Sequence, residues 1–563
     1  MKRVNNKGFA ISTMLYGLLI VIVLVMGMIM SIMAFNRKNS REFSTKAVED
    51  LEKETLVPLS EAVVSLSINQ APARYYRSLS SALQWLDSSK KAEIKFIKDV
   101  NENIQIDNKQ FEAIIDLNDK TLNGYISVGN KSSSLTLNNG RIVSTTGKVS
   151  IKNNGTININ NVNVTANNAR VIENSGVISI SSGTYTSNIS DYMINNVSNN
   201  NDDDDRTATI TFQNTDLTTS TGAIINNKGN IAITGGKISS FTADSTKTVL
   251  NNEKSLSLTN ATVTSNATVL ISNSGDSLKI ENGSYTTNLT DQTKTAIDNK
   301  GVATISGATI NSRAGSTIEN SKTLVISSGV YNNTAGGGNV IKTTSGNITL
   351  NNSTYNLSNS SNDGIAIVTA VNSLHDNINI SNVSVYSTGA GIELNGNYSN
   401  DKELNINNIV VAKNNQNEAT NKSAISNNLG SKNLYVSFST IAGRVSGKVF
   451  AVSQINKNTG EYMVSSYNTK ITHSKVWTKD ESKATELTAT LDSDSYNNTL
   501  YSSKFKISDF ESYKGVYNTK FIEKVVKENP GAGEGAKEDE TIDTDTKEET
   551  EETVLGQFSF NIS

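Results

Sequence analysis

Residues 156–187 read TININNVNVTANNARVIENSGVISISSGTYTS, and the stretch repeats its own pattern. Ile159 and Ile180 each close a short run in which apolar and polar residues alternate. Five residues beyond each comes a second inward candidate, Val164 and Tyr185. Between the two runs lies a third apolar element, Val171-Ile172-Glu173-Asn174. Side chains on a strand change face at every residue, so an offset of five cannot keep both members of a pair on one side of a straight strand. The chain must bend between them.

The same pair recurs outward in both directions. The first members are Leu137, Ile159, Ile180, Phe212, Ile233, Leu258, Ile280, Ile305, Ile326, Leu350, Ile380, Ile406 and Val436, at spacings of 21 to 32 residues. Their partners five residues on are Ile142, Val164, Tyr185, Leu217, Ile238, Val263, Tyr285, Ile310, Tyr331, Tyr355, Val385, Val411 and Ile441. All 13 obey the rule in a chain only 36% hydrophobic, which chance would rarely produce. Periods of this size indicate a repeat architecture. The third residue of each bend is often small, as at Gly140, Gly183, Gly236, Ala261, Gly283, Ala308 and Gly329, which suits a tight turn beside a narrow core. Three short strands per coil, each paired to the coils above and below, give a parallel β-helix. Parallel crossovers make the expected hand right-handed. Only 3 prolines occur in the chain, in keeping with ladders that need every N–H.

The third element ends in Asn in coil after coil, at Asn174, Asn196, Asn227, Asn252, Asn273, Asn299 and Asn320. Stacked inward amides could hydrogen-bond along the rod axis. The other reading is a set of solvated turn residues, which Asn also favours.

The N-terminus is of another kind. Residues 9–35, FAISTMLYGLLIVIVLVMGMIMSIMAF, carry no charge. As a helix they reach roughly 40 Å and can span a bilayer core of about 30 Å with tilt. The apolar run is too long for an ordinary cleaved signal. Charge does not orient it: Lys2, Arg3 and Lys7 precede it, and Arg37, Lys38 and Arg41 follow. The polar composition of the remainder places that part outside the cell, on the surface of a single-pass plasma-membrane protein. The junction NNKGFAISTMLYG resembles a type IV prepilin leader, with Gly8 before Phe9; pilins usually carry Glu five residues into the mature chain, where this chain has Thr13. The resemblance implies cleavage after residue 8. An uncleaved signal anchor is the alternative.

Residues 36–74 read as a helical or linker-like stalk and 75–130 as a cap with the first coils. Leu79, Ala82, Leu83 and Leu86 fall at helical spacing; Ile94, Phe96, Ile104 and Ile106 alternate as in strands. The segments Tyr76 to Leu79, Ile94 to Val100 and Ile115 to Leu122 resemble the opening of pectin-lyase-like right-handed β-helix domains, with Asp119 where that family usually has Gly. The resemblance implies a fold and no particular activity. Coils run over 131–459, irregular coils and a closing cap over 460–528, and a tail over 529–563. From Glu534 to Glu552 that tail holds ten acids and two lysines, too charged to fold.

Chemistry-bearing groups are sparse. Cys is absent and the net charge is -3, so neither a thiolate metal site nor a nucleic-acid footprint is expected. Asp202 to Asp205 could hold Ca²⁺, but they lack the spacing of a known loop and read as a solvated insertion. His375 and His473 are both expected at the surface. Asn214-Thr215-Asp216 resembles the Asn-Thr-Asp motif of polygalacturonases, but the Gly that should follow is Leu217, a core position of the repeat. The reading is therefore an all-β membrane-anchored rod with a short helical cap. It has no assigned catalytic, cofactor or metal residues, and acts as an adhesin or structural spacer with a glycan or cell surface as partner. A polysaccharide lyase or hydrolase is the alternative.

Overall fold

In a computed structural model the chain is a parallel β-solenoid preceded by one long helix. The structure describes residues 6–398 except 145–146, 198–206, 360 and 362, and short segments between 404 and 557. The insertion carrying Asp202 to Asp205, His473 and most of the acidic tail lie outside the described residues.

The coil is built as its spacing requires. Its inward residues stack in register: Leu137 beside Ile159, Ile159 beside Ile180, Ile180 beside Phe212, and so on to Val436. The partners five residues later form a second stack, from Ile142 to Ile441. We call the sheet through the first stack face 1 and the sheet through the second face 2. The strands Ser134–Ser144, Thr156–Ala166, Val177–Ser187 and Thr209–Thr219 run through both without a break. Face 3 is a separate 16-stranded sheet containing Ile172–Asn174, Ala223–Asn227 and Ser316–Asn320. One apolar core runs between the faces from Val64 to Val436.

The bend between faces 1 and 2 is made in most coils by the residue two places after the anchor. Asn139, Asn161, Ser182, Asn214, Gly235, Asn260, Asn282, Gly307, Asn352, Asn382 and Asn408 all have positive φ there. In the Ile326 coil the positive φ falls one place later, at Gly329. Asn tolerates that region better than other side chains, since its short amide bonds locally. At Gly183, Gly236, Gly283 and Gly329 the third place also has positive φ and shares in the bend. The third place is also where the chain passes close to the coil below: a Cβ added at Gly183, Gly236 or Gly283 would lie 2.2 Å from a carbonyl oxygen of that coil.

The repeat extends past the 13 anchors. Ile94 and Ile115 precede Leu137 in register. Beyond Val436 and Ile441 come Ile471 and Val476, again five apart. The cap helix is Leu79–Leu83, with Leu79, Ala82, Leu83 and Leu86 buried. Ser78 caps it by accepting from the Ser81 N–H, and the Glu102 carboxylate accepts the N–H groups of Leu79 and Ser80. The stalk is less linker-like than its sequence suggests. Val64–Ile68 pairs antiparallel with both Arg74–Tyr76 and Lys91–Phe96, covering the first edge of the solenoid. At the other end, Glu552–Gln557 lies antiparallel to Lys520–Lys524, so the charged tail includes a strand.

The N-terminal helix is continuous from Asn6 to Thr55. Its segment Met14–Lys38 has a mean hydropathy of 2.9 and buries nothing against the protein, so it is long and apolar enough to cross a membrane.

Candidate functional surfaces

Inside the rod, the third-element Asn residues are buried and bonded to one another. Asn153 Nδ2 donates to Asn174 Oδ1 at 2.9 Å, Asn174 to Asn196 at 2.8 Å, and Asn196 to Asn227 at 2.9 Å. The chain of bonds continues through Asn252, Asn273 and Asn299 to Asn320 at 2.7–2.9 Å. The same amides close the turn into face 1. Asn174 Oδ1 accepts the Gly176 N–H, and its Nδ2 donates to the carbonyl of Thr209 one coil on. These are structural groups, wholly spent on the turn. The ladder begins one coil earlier than the VIEN pattern suggests, at Asn153, and gives way to Thr343 and Thr369, which take the same register.

Outward Asn residues stack as well, which the sequence reading missed. Asn226 donates to Asn195 and Asn251 to Asn226 on face 3; Asn332 donates to Asn311 and Asn356 to Asn332 on face 2. A search for Asn at equal phase in successive coils would have found them.

The residues of the Asn-Thr-Asp motif have ordinary repeat roles. Asn214 occupies the bend at φ 47°, Thr215 is buried, and Leu217 is a core residue in register with Tyr185. Asp216 points outward on face 2, where its carboxylate accepts the Lys237 N–H at 2.9 Å. Among the described residues no group of three His, Asp or Glu side chains is placed to hold a metal ion.

His375 corrects an expectation. It is fully buried, in a short strand, Leu374–His375, that an insertion lays beside Asn397 and Tyr398. Burial holds its imidazole below the usual range, opposed by hydrogen bonds with the backbone of Ala370 and Asn395 and by nearby Asp376. A neutral ring in the folded chain binds fewer protons than the same ring unfolded, whose pKa is near 6.5. Stability should therefore fall as pH drops below about 6.5, before most carboxylates titrate. In His375→Gln the decline in melting temperature between about pH 7 and 5.5 should flatten. An unchanged slope would show that this ring is not the group responsible.

Comparison with protein families, curated proteins and solved structures returns no match.

Proposed function

We propose that the chain is a non-catalytic surface rod, held in the plasma membrane by its N-terminal helix, that presents its β-solenoid outside the cell to glycans or to another surface. One combination supports this reading. An apolar helix that buries nothing is joined to a long in-register solenoid whose outward rows are mostly Asn, Ser and Thr. Such rows offer many weak hydrogen bonds, and repetition along a rod raises avidity without a deep pocket. The stacked coils, the cap and the matched segments near residues 76, 94 and 115 favour the pectin-lyase-like class of solenoid. In that class Asp119, at φ 59°, takes the left-handed position that Gly usually fills. The Gly8-Phe9 junction favours prepilin-type processing.

Two measurements test the anchoring. Protease added to intact cells should remove the solenoid; protection until lysis would reverse the orientation. N-terminal sequencing of the membrane form should begin at Phe9, and Met1 would establish an uncleaved signal anchor instead. For the activity, the protein is incubated with a panel of polysaccharides with and without Ca²⁺. Retention without new reducing or unsaturated ends is expected. Products that disappear in Asp216→Ala would overturn the reading in favour of an enzyme, and neither retention nor products would leave a spacer.

A further inference from the structure

The three faces differ in charge. Face 1 has three outward positions per coil, and over the eleven coils from Leu137 to Ile380 none of them is buried. Only two carry charge, Lys279 and Glu281, and these neutralise each other at 2.7 Å. The chain-wide 19% of charged residues would place several more there. Face 3 has them: its outward row includes Lys152, Glu173, Asp298, Glu319, Lys342 and Glu393, several in ion pairs. Face 2 carries Arg141, Asp216 and Lys237. A solvent face this poor in charge forfeits the usual protection against association.

The central row of face 1 reads Thr136, Asn158, Ser179, Thr211, Ala232, Ser257, Lys279, Thr304, Val325, Thr349 and Asn379, in register from coil to coil. Among the described residues its hydroxyl and amide groups bond to no other side chain, unlike the Asn stacks of the other faces and the Asn138–Asn160 pair in the row beside it, so they are open to a ligand. With ten strand spacings of ~4.8 Å and five residues of ~3.3 Å, the face covers roughly 800 Å². That is about one partner's share of a stable interface.

We infer that face 1 is a docking surface for an extended, uncharged glycan, a deepening that rests on the adhesive reading above. The charge balance selects the partner. A polyanion or polycation would give up ion hydration here and find no counter-charge. A neutral chain exchanges water for Thr, Ser and Asn partners at little cost. A second copy of this chain fits less well, because self-association favours apolar cores and the face offers only Val177, Ala232, Val302 and Val325. The outward positions of the face hold no aromatic ring between Ser134 and Ser381, so each contact is weak and binding depends on their number.

The test uses the full chain in detergent, with insoluble cellulose, chitin and starch as neutral probes and polygalacturonate as the anionic one. Retention on at least one neutral probe, unchanged by added salt, is expected. Thr211→Lys with Ser257→Lys, both on face 1, should lower it about tenfold, since each lysine must be desolvated to reseat the glycan. Thr309→Lys on face 2 with Ser272→Lys on face 3 adds the same charge and should leave retention within about twofold. Circular dichroism of both pairs confirms the fold. If only the second pair abolishes retention, or if both pairs leave it unchanged, face 1 is not the surface and the adhesive reading stands. Salt-sensitive retention on polygalacturonate alone overturns the ligand class. Retention on no probe overturns this inference and the glycan-binding reading together.

Discussion

Replacing Asn273 by Leu should destabilise the solenoid by about 3 kcal/mol, although Leu is the better core residue by size and polarity. Asn273 is fully buried. Its Nδ2 donates to Asn299 Oδ1 at 2.7 Å and to the Val302 carbonyl at 3.2 Å, and its Oδ1 accepts from Asn252 at 2.7 Å and from the Gly275 N–H at 3.3 Å. The substitution leaves groups of four neighbours short of a partner in a space that excludes water, and each such orphan costs about 1–3 kcal/mol. Neighbouring bonds relieve part of this: Asn252 still donates to the Ser277 carbonyl at 3.0 Å. In contrast, Asn160 donates to Asn138 at 2.9 Å on the exposed side of face 1, and Asn160→Ala should stay within about 0.5 kcal/mol. Chemical denaturation of the two variants checks the difference, and equal losses would mean that the buried ladder contributes no more than a surface one. Coils of a solenoid couple only to their neighbours. The Leu variant should therefore also separate the unfolding of coils before and after Asn273, visible as a second transition.

The stacking of the rod was legible because it depends on apolar spacing alone. Each anchor and its partner five residues later proved to be a register mate of the next coil, from Leu137 and Ile142 to Val436 and Ile441. Two things were not legible. The first edge is closed by Val64–Ile68, a five-residue strand whose alternation is too short to stand out beside a long helix. His375 is buried because an insertion folds back as a strand, and no local pattern announces a contact made between Leu374–His375 and the next coil's Asn397 and Tyr398. The candidate surfaces were readable only as composition. Which polar residues face inward, stack outward, or stay open follows from the exact phase of each coil, and insertions such as 197–208 and 370–376 shift that phase along the sequence while leaving the register intact.

The small residue at the third place of the bend gives the second large effect, because size and backbone hand make different predictions for it. Gly283 has φ 91°, and a Cβ there would lie 2.2 Å from the Ala261 carbonyl oxygen of the coil below. One coil on in either direction the same place holds Ala261 and Ala308, both buried and neither with positive φ. If the bend required only a small side chain, Gly283→Ala would be mild, since its neighbours are already Ala. The backbone argues otherwise. A non-glycine residue in this region costs about 1–3 kcal/mol before any clash, and the obstructing atom is a backbone carbonyl oxygen held in place by the Ser284 N–H at 3.0 Å. A loss of about 3 kcal/mol is expected for Gly283→Ala. Gly147→Ala separates the two contributions: its φ is 79°, but nothing lies within 4 Å of the added Cβ. That variant should lose only about 1 kcal/mol, from backbone strain. Equal losses at the two sites would show that strain dominates and the close approach of coils costs nothing. No loss at Gly283 would mean the bend can be rebuilt with the third residue in an ordinary conformation, as its Ala-bearing neighbours already do.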